Sequence, residues 1–314
     1  MSPSSSSSPL VTRSGRLIQT MRRHPLFFYF LMAFAFSWAY EVLVFFPQGS
    51  LEDLLVAAPL AFVGPTLSAF IMTALTQGKP GMRRLLRRYV LGCVGFRWYL
   101  FTLLALPTLL LLGYLVMPGA IAAFQAIPAA AFLQSYQLSF LVNFTVGGPL
   151  GEEPGWRGFA LPRLQRGYGP LVGTLILGVL WGLWHLPLFI LIPGFDGAGN
   201  DFVGILFPFL ALVIEATASA VIFTWVFNNV RGSLFLMVLL HATFNTATSA
   251  LPTLFPTFPS SFLLPLMPIL VAVAALLLMV TRGRLSYQRY QQEAELLDLP
   301  PPMGQKPALP GTAV

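Results

Sequence analysis

The sequence predicts an all-α protein, a polytopic membrane helical bundle of about eight transmembrane helices. Three observations lead to this prediction: 56% of the 314 residues are hydrophobic, only 9% are charged, and several apolar runs reach 18 residues or more. Soluble globular chains carry roughly a quarter charged residues, and a helix needs about 20 apolar residues to cross the hydrocarbon. Because no alternating barrel pattern occurs, the runs are predicted to be helices, which satisfy their own backbone hydrogen bonds in lipid.

The predicted elements begin with a Ser/Pro-rich arm, residues 1–24, whose composition indicates cytoplasmic disorder. Between the second and third apolar runs, GMRRLLRRYV predicts a short interfacial helix attracted to anionic headgroups. Residues 283–314 are expected to form a disordered cytoplasmic tail, which leaves 25–282 as the transmembrane bundle. The eight predicted spans cover residues 26–46, 54–76, 98–117, 129–149, 170–192, 203–228, 233–251 and 262–281.

The distribution of charge predicts how the bundle is oriented. Threading eight spans places all 18 Lys and Arg residues on one side, so the positive-inside rule predicts a multi-pass cell-membrane protein with both termini cytoplasmic. The net charge of +7 therefore reflects orientation, and no nucleic-acid partner is expected. The single cysteine, Cys93, cannot form an internal disulfide. The first apolar run exceeds a typical signal-peptide h-region, so it is expected to remain as a span.

The motif GEEPGWRG carries the first group of residues that could perform chemistry. On a helix, Glu153 and Arg157 share a face and are predicted to pair, while Glu152 points about 100° away and is expected to stay free. A free carboxylate in a low-dielectric site suits a general base acting on water. Pro154 is expected to loosen the helix, since it removes a backbone donor. The alternative is a charge cluster at the cytoplasmic end of a span.

Two further motifs lie on later spans. WGLWHLP places Trp181 and His185 one turn apart, although a lone membrane histidine is more often a packing residue. HATFN places His241 and Asn245 on one face, where two N–H donors could hold an oxyanion or simply bond a neighbouring helix. Each motif alone decides little.

Together the three motifs resemble those of the CAAX-protease and bacteriocin-processing family: EExxxR, an aromatic-xxx-His, then HxxxN, in that order on successive apolar segments. The family usually has Phe where Trp181 stands here. The resemblance covers roughly residues 130–250, which it identifies as a protease-like core. It implies hydrolysis of peptide bonds within or beside the membrane, with peptide or protein substrates and the lipid bilayer as partners.

The resemblance also implies roles for individual residues. Glu152 would activate water and His185 would help to hold it, while His241 and Asn245 would stabilise the oxyanion. Glu153 with Arg157 would brace the first motif.

Metal dependence is left open by the resemblance. The family is commonly called a metalloprotease, and Glu152, His185 and His241 could bind Zn²⁺ or another divalent metal. The same residues also serve a metal-free mechanism. Substrates could be prenylated or bacteriocin-like, and nothing in the sequence chooses between them.

Other protease classes, a transporter or channel, and an inactive protein are alternatives to this function. The sequence contains no HExxH, GxSG or GxGD protease motif. A transporter or channel would use intramembrane Glu and His residues, but its usual sign is repeated halves, whereas the motifs here lie only in the second half. A catalytically inactive immunity or scaffold protein is the third alternative. Glu41 and Glu215 receive no role.

Overall fold

A computed structural model of the chain describes residues 13–45, 62–146, 148–192, 194–195, 198–199, 201–257 and 263–295. These residues are mainly helical and contain no strand, which confirms the all-α membrane bundle. The helices are α1 (Arg13–Arg23), α2 (Pro25–Tyr40), α3 (Gly64–Tyr89), α4 (Phe96–Leu115), α5 (Ala120–Ala123), α6 (Ala129–Thr145), α7 (Gly148–Glu153), α8 (Leu161–Trp184), α9 (Leu186–Leu191), α10 (Phe202–Asn229), α11 (Leu234–Ala250), α12 (Leu263–Thr281) and α13 (Tyr287–Glu295).

Each of the eight predicted spans contains a helix, although the span predicted at 54–76 is described only from residue 62. By length and apolar composition, five stretches could cross a membrane, and a shorter apolar helix covers Met267–Thr281. One stretch, Ala129–Leu191, includes two predicted spans. The apolar helix α6 has no buried residue, as expected of a surface that meets lipid. The five stretches are Pro25–Leu43, Phe96–Leu115, Ala129–Leu191, Phe202–Asn229 and Leu234–Leu254.

Two glycines divide long helices into separate halves. Gly78 has a φ of 63° and Gly169 a φ of 78°, a left-handed conformation that favours glycine. Pro80 and Pro170 follow these glycines and cannot continue the preceding helix. The break at Gly169 agrees with the predicted start of the fifth span at residue 170. The break at Gly78 separates the arginine-rich half of α3 from the half that packs into the core.

A close helix pair supports the second half of the bundle. A Cβ atom added to Gly178 would lie 2.6 Å from Thr217 Cα, and one added to Gly182 would lie 2.7 Å from Val213 Cα. The backbones of α8 and α10 therefore touch, as small residues permit in membrane helix pairs. This contact fixes the part of α8 that carries the second motif.

The segment joining α6 to α8 differs from the prediction. Residues 150–169 were predicted to form a cytoplasmic connection, yet every residue from 148 to 160 except Leu150 is buried. A short π helix, Pro154–Ala160, connects α7 to α8. It begins at Pro154, the residue that was expected to loosen the helix. Because Pro154 removes a backbone donor, the wider turn follows from the sequence. The first motif is thus buried inside the bundle and is not a solvated charge cluster.

Both predicted disordered ends contain helix where the structure describes them. In α1, Arg22 Nε donates to Leu75 O at 3.2 Å, and Met21 packs against the core. In α13, Tyr290 is buried with its ring 5.2 Å from that of Phe227. These contacts stabilise short helices that composition alone does not favour. The remaining parts of the two predictions, residues 1–12 and 296–314, lie outside the described residues.

Candidate active site

Glu153 connects the first and third motifs through two short contacts. Its Oε1 atom accepts a hydrogen bond from Arg157 Nη1 at 2.9 Å and lies 2.8 Å from His241 Nδ1. The side chains of Glu153 and Arg157 are fully buried. The Arg157 guanidinium also lies over the Trp181 ring at 4.3 Å and the Phe223 ring at 4.7 Å. The predicted pair is therefore present, and aromatic faces cover the remainder of the cation.

Glu152 is not the free carboxylate that helix geometry alone predicted. Its Oε2 atom accepts hydrogen bonds from Trp181 Nε1 at 2.7 Å and from Trp156 Nε1 at 3.2 Å. The residue is 2% exposed. The two indole donors fix the orientation of the carboxylate. Oε1 makes no hydrogen bond among the described residues and is left for another partner.

His185 lies beside this carboxylate with its tautomer defined. Its Nδ1 atom is 2.9 Å from Trp181 O, and since a carbonyl oxygen only accepts, Nδ1 carries the proton. In the neutral ring, Nε2 is then an acceptor. His185 is close enough to Glu152 and to His241 to interact electrostatically with both. The structure thus brings the second motif to the other two.

The two histidines meet although they lie at different depths along their helices. A Cβ atom on Gly158 would lie 3.2 Å from Cδ1 of Leu234, the first residue of α11. The start of α11 is therefore level with Gly158, which precedes the turn at Gly169 by eleven residues. By helix rise this offset is about 16 Å. The second half of α8 starts at the turn at Gly169. More residues separate this start from His185 than separate the start of α11 from His241, and this difference compensates for the offset. Both histidine rings lie against the Trp181 ring, His185 at 6.2 Å and His241 at 5.5 Å between ring centroids.

Asn245 follows His241 by one turn on α11 and is half-buried. Its side chain makes no hydrogen bond with any residue that the structure describes, whereas its carbonyl accepts from Thr248 and Ser249. The amide is therefore available to a ligand on the face that carries His241.

The same geometry tests whether these residues fit a metal. His185 and His241 each present Nδ1 to an oxygen acceptor and leave Nε2 free, an arrangement typical of metal-ligating histidines. However, no group of three or more His, Cys, Asp or Glu side chains in the described part of the chain is arranged to hold an ion. Glu152 directs one carboxylate oxygen at two indoles instead. The described residues do not complete a metal site.

Two neighbours of the site were given no role from the sequence. Trp156 donates to Glu152 from the i+4 position, the same spacing that predicted the Glu153–Arg157 pair, so this contact could have been found. Glu41, in the π turn after α2, is 2% exposed and close enough to Glu152 to interact electrostatically. No spacing rule connects residues so far apart in the chain.

Comparisons with known proteins agree with this geometry. A family model described as "Type II CAAX prenyl endopeptidase Rce1-like" matches residues 133–247, a range that contains all three motifs. The chain is 27% identical over 146 residues to "CAAX prenyl protease 2" of Methanococcus maripaludis, an alignment that covers 45% of this chain and 52% of that protein. The chain thus spans about half the length of the curated relative it matches. Both matches support the resemblance to the CAAX-protease and bacteriocin-processing family that the three motifs carry.

Proposed function

We propose that the protein is an intramembrane endopeptidase that hydrolyses peptide bonds of membrane-associated substrates with a water activated by Glu152. The observation that carries this proposal is the buried Glu152 carboxylate, held by two indole donors beside His185 and His241. A carboxylate fixed through one oxygen, with the other oxygen unbonded, is suited to accept a proton from water. The family match supports the reaction class.

In the proposed reaction, Glu152 Oε1 accepts a proton from water while the water oxygen bonds to the substrate carbonyl carbon. His185 Nε2 accepts the hydrogen bond of the second water proton, a role that its neutral tautomer allows. The carbonyl oxygen becomes an oxyanion. When the carbon–nitrogen bond breaks, the proton moves from Glu152 to the leaving amine, and the products are a carboxylic acid and an amine. Transfer of the acid proton to the amine then gives a carboxylate and an ammonium group.

His241 and Asn245 are proposed to stabilise the oxyanion. Glu153 Oε1 lies 2.8 Å from His241 Nδ1 and fixes the orientation of the ring. His241 stabilises the oxyanion by donating from Nε2 when that nitrogen carries a proton. The Asn245 amide adds a second donor on the same face of α11. Glu153 and Arg157 act through His241 by fixing its orientation.

The substrate class and the orientation belong to the same proposal. Membrane-associated peptides, prenylated or bacteriocin-like, reach the site from the side that is rich in Lys and Arg, which the charge distribution predicts to be cytoplasmic. If Zn²⁺ or a similar ion were bound, it would polarise the carbonyl or lower the pKa of the bound water. His185 and His241 are the residues with free nitrogen donors for such an ion.

Cleavage of a membrane-peptide library by detergent-purified protein tests the proposal. Wild type is compared with Glu152→Ala and His241→Ala, each with and without a zinc chelator. Loss of the base or of an oxyanion donor is expected to reduce the rate at least ~100-fold. Loss of cleavage in the presence of the chelator would indicate a metal-dependent reaction. Unchanged cleavage would indicate the metal-free carboxylate mechanism. If folded samples of all three proteins behave alike, the proposal is wrong, and ion flux in liposomes becomes the relevant assay.

A further inference from the structure

Two glutamines face outward from the middle of an apolar helix. Gln134 and Gln137 lie on α6, which has no buried residue, and both are exposed. We refer to them as the glutamine pair. Gln137 is the central residue of the 17 in α6, so about 12 Å of helix separates it from either end. Since α6 belongs to an apolar stretch long enough to cross a membrane, both amides lie at the depth of the hydrocarbon, where lipid offers no hydrogen-bond partner.

The other side-chain amides of the apolar stretches are covered by the bundle. Among the described residues of those stretches, every Asn or Gln outside the glutamine pair is buried or half-buried. Gln165 and Asn228, for example, exchange two hydrogen bonds of 3.1 and 2.8 Å between α8 and α10. The glutamine pair makes no side-chain hydrogen bond with any residue that the structure describes. An unpaired amide in hydrocarbon is costly, so a partner from outside the chain would stabilise both glutamines.

The glutamine pair lies away from the face by which α6 packs on the bundle. On that inner face, Asn143 Nδ2 donates to Thr246 Oγ1 of α11 at 3.3 Å, and Phe132 packs against the core. A helix turns about 100° per residue, which places the glutamine pair roughly 120° to 180° from both Asn143 and Phe132. Leu141 is 57% exposed and follows Gln137 by four residues. Steps of three and four residues produce the stripe along which two helices pack, and this stripe has no partner among the described residues.

A second copy of the chain satisfies the glutamine pair, whereas lipid does not. An amide side chain carries both donors and an acceptor, so it is complementary to an identical amide. Two copies in one membrane have the same orientation, and a two-fold axis along the membrane normal brings each glutamine opposite its counterpart at equal depth. An unrelated membrane protein would need amides at the same two depths, which a second copy supplies by symmetry.

The geometry of such a contact already occurs within the chain. The reciprocal hydrogen bonds between Gln165 and Asn228 are those that two facing glutamines would make. Exposed leucines beside the glutamine pair, Leu133 and Leu138, would pack around the amides and exclude lipid from them. We infer that α6 is the interface of a homodimer, in which Gln134 and Gln137 each bond to the same residue of a second copy.

Association of the full chain in lipid vesicles tests the interface. Cys93 is exposed and is the only cysteine in the sequence, so one donor or acceptor dye can be attached to each copy. Energy transfer is measured in phosphatidylcholine vesicles over a range of protein-to-lipid ratios. The variant Gln134→Leu/Gln137→Leu removes both amides. The matched control, Ser135→Ala, removes a polar group from an exposed position of α6 outside the stripe.

Wild type and Ser135→Ala are expected to associate with dissociation constants within about threefold of each other. The double glutamine variant should associate at least about 30-fold more weakly, since each interhelical hydrogen bond in a membrane contributes roughly threefold and two reciprocal pairs contain about four. A wild type that stays monomeric at every ratio would overturn the inference. Association of the double variant at the wild-type level would overturn it as well.

Disulfide crosslinking locates the contact while both amides remain in place. In a Cys93→Ser background, Leu141→Cys lies on the stripe and should crosslink to its counterpart under mild oxidation. Ser135→Cys is exposed on the same helix about 120° away and should not crosslink. Equal crosslinking at the two positions would show random collision and contradict the proposed interface. Loss of peptide cleavage by the double glutamine variant with unchanged energy transfer would place the glutamines on the path of the substrate and likewise refute the dimer contact.

Discussion

Removing the charge of Glu153 should destabilise the protein more than removing any exposed carboxylate. At 2.9 Å and an effective dielectric constant of about 20, the Coulomb energy between Arg157 and Glu153 is about 6 kcal/mol. Desolvation offsets part of this energy, but Glu153→Gln would leave a fully buried guanidinium without its counter-ion. Loss of one partner from a buried pair typically costs about 3–5 kcal/mol. We expect that loss in the free energy of unfolding, measured by reversible SDS denaturation in mixed micelles.

A matched control exists in the same chain. Arg289 and Glu293 form an i,i+4 pair with the same 2.9 Å separation, but Arg289 is 43% exposed. Glu293→Gln should therefore cost less than about 1 kcal/mol. The double variant Glu153→Gln/Arg157→Met removes both charges and should be less destabilised than Glu153→Gln alone. If Glu153→Gln is as mild as Glu293→Gln, the cation is stabilised mainly by its aromatic neighbours and the reasoning fails.

Three further predictions concern the site and its support. Trp181→Phe removes the 2.7 Å hydrogen bond to Glu152 and should lower kcat/KM for peptide cleavage about tenfold or more, and an unchanged value would show that this donor is dispensable. Gly178→Ala should lower the unfolding temperature because its Cβ would meet Thr217 Cα, whereas Gly167→Ala, with no atom within 4 Å, should be neutral or slightly stabilising. Asn245→Ala should reduce kcat about 100-fold with an unchanged unfolding temperature, and a parallel loss of stability would indicate a structural role.

The fold was largely predictable because the composition of each segment indicates whether it lies in lipid or in water. Apolar runs identified eight helices, and Gly169 with Pro170 marked the start of the fifth span. The burial of residues 148–160 was missed, since a segment with two glutamates and an arginine was interpreted as a connection. Pairing of Glu153 with Arg157 and the indole donors at Glu152 are what permit those charges inside the bundle.

The candidate site was predictable only where one helix carries both partners. The i,i+4 rule gave the Glu153–Arg157 pair and, applied to Glu152, would also have given Trp156. Contacts between helices, such as His241 with Glu153 and Trp181 with Glu152, depend on how the helices are offset. Those offsets arise from the turn at Gly169 and the close packing of α8 on α10. The spacing of residues along a single helix predicts neither feature.

The most direct test of the proposed mechanism is the cleavage rate of one identified peptide by wild type, Glu152→Gln and Glu215→Gln. Both substitutions are nearly isosteric, and both carboxylates are buried, but Glu215 accepts a hydrogen bond from Ser219 on α10 and belongs to none of the three motifs. Glu152→Gln should reduce the rate at least about 100-fold, whereas Glu215→Gln should stay within a few fold of wild type. Cleavage by a folded Glu152→Gln variant at the wild-type rate would contradict the account.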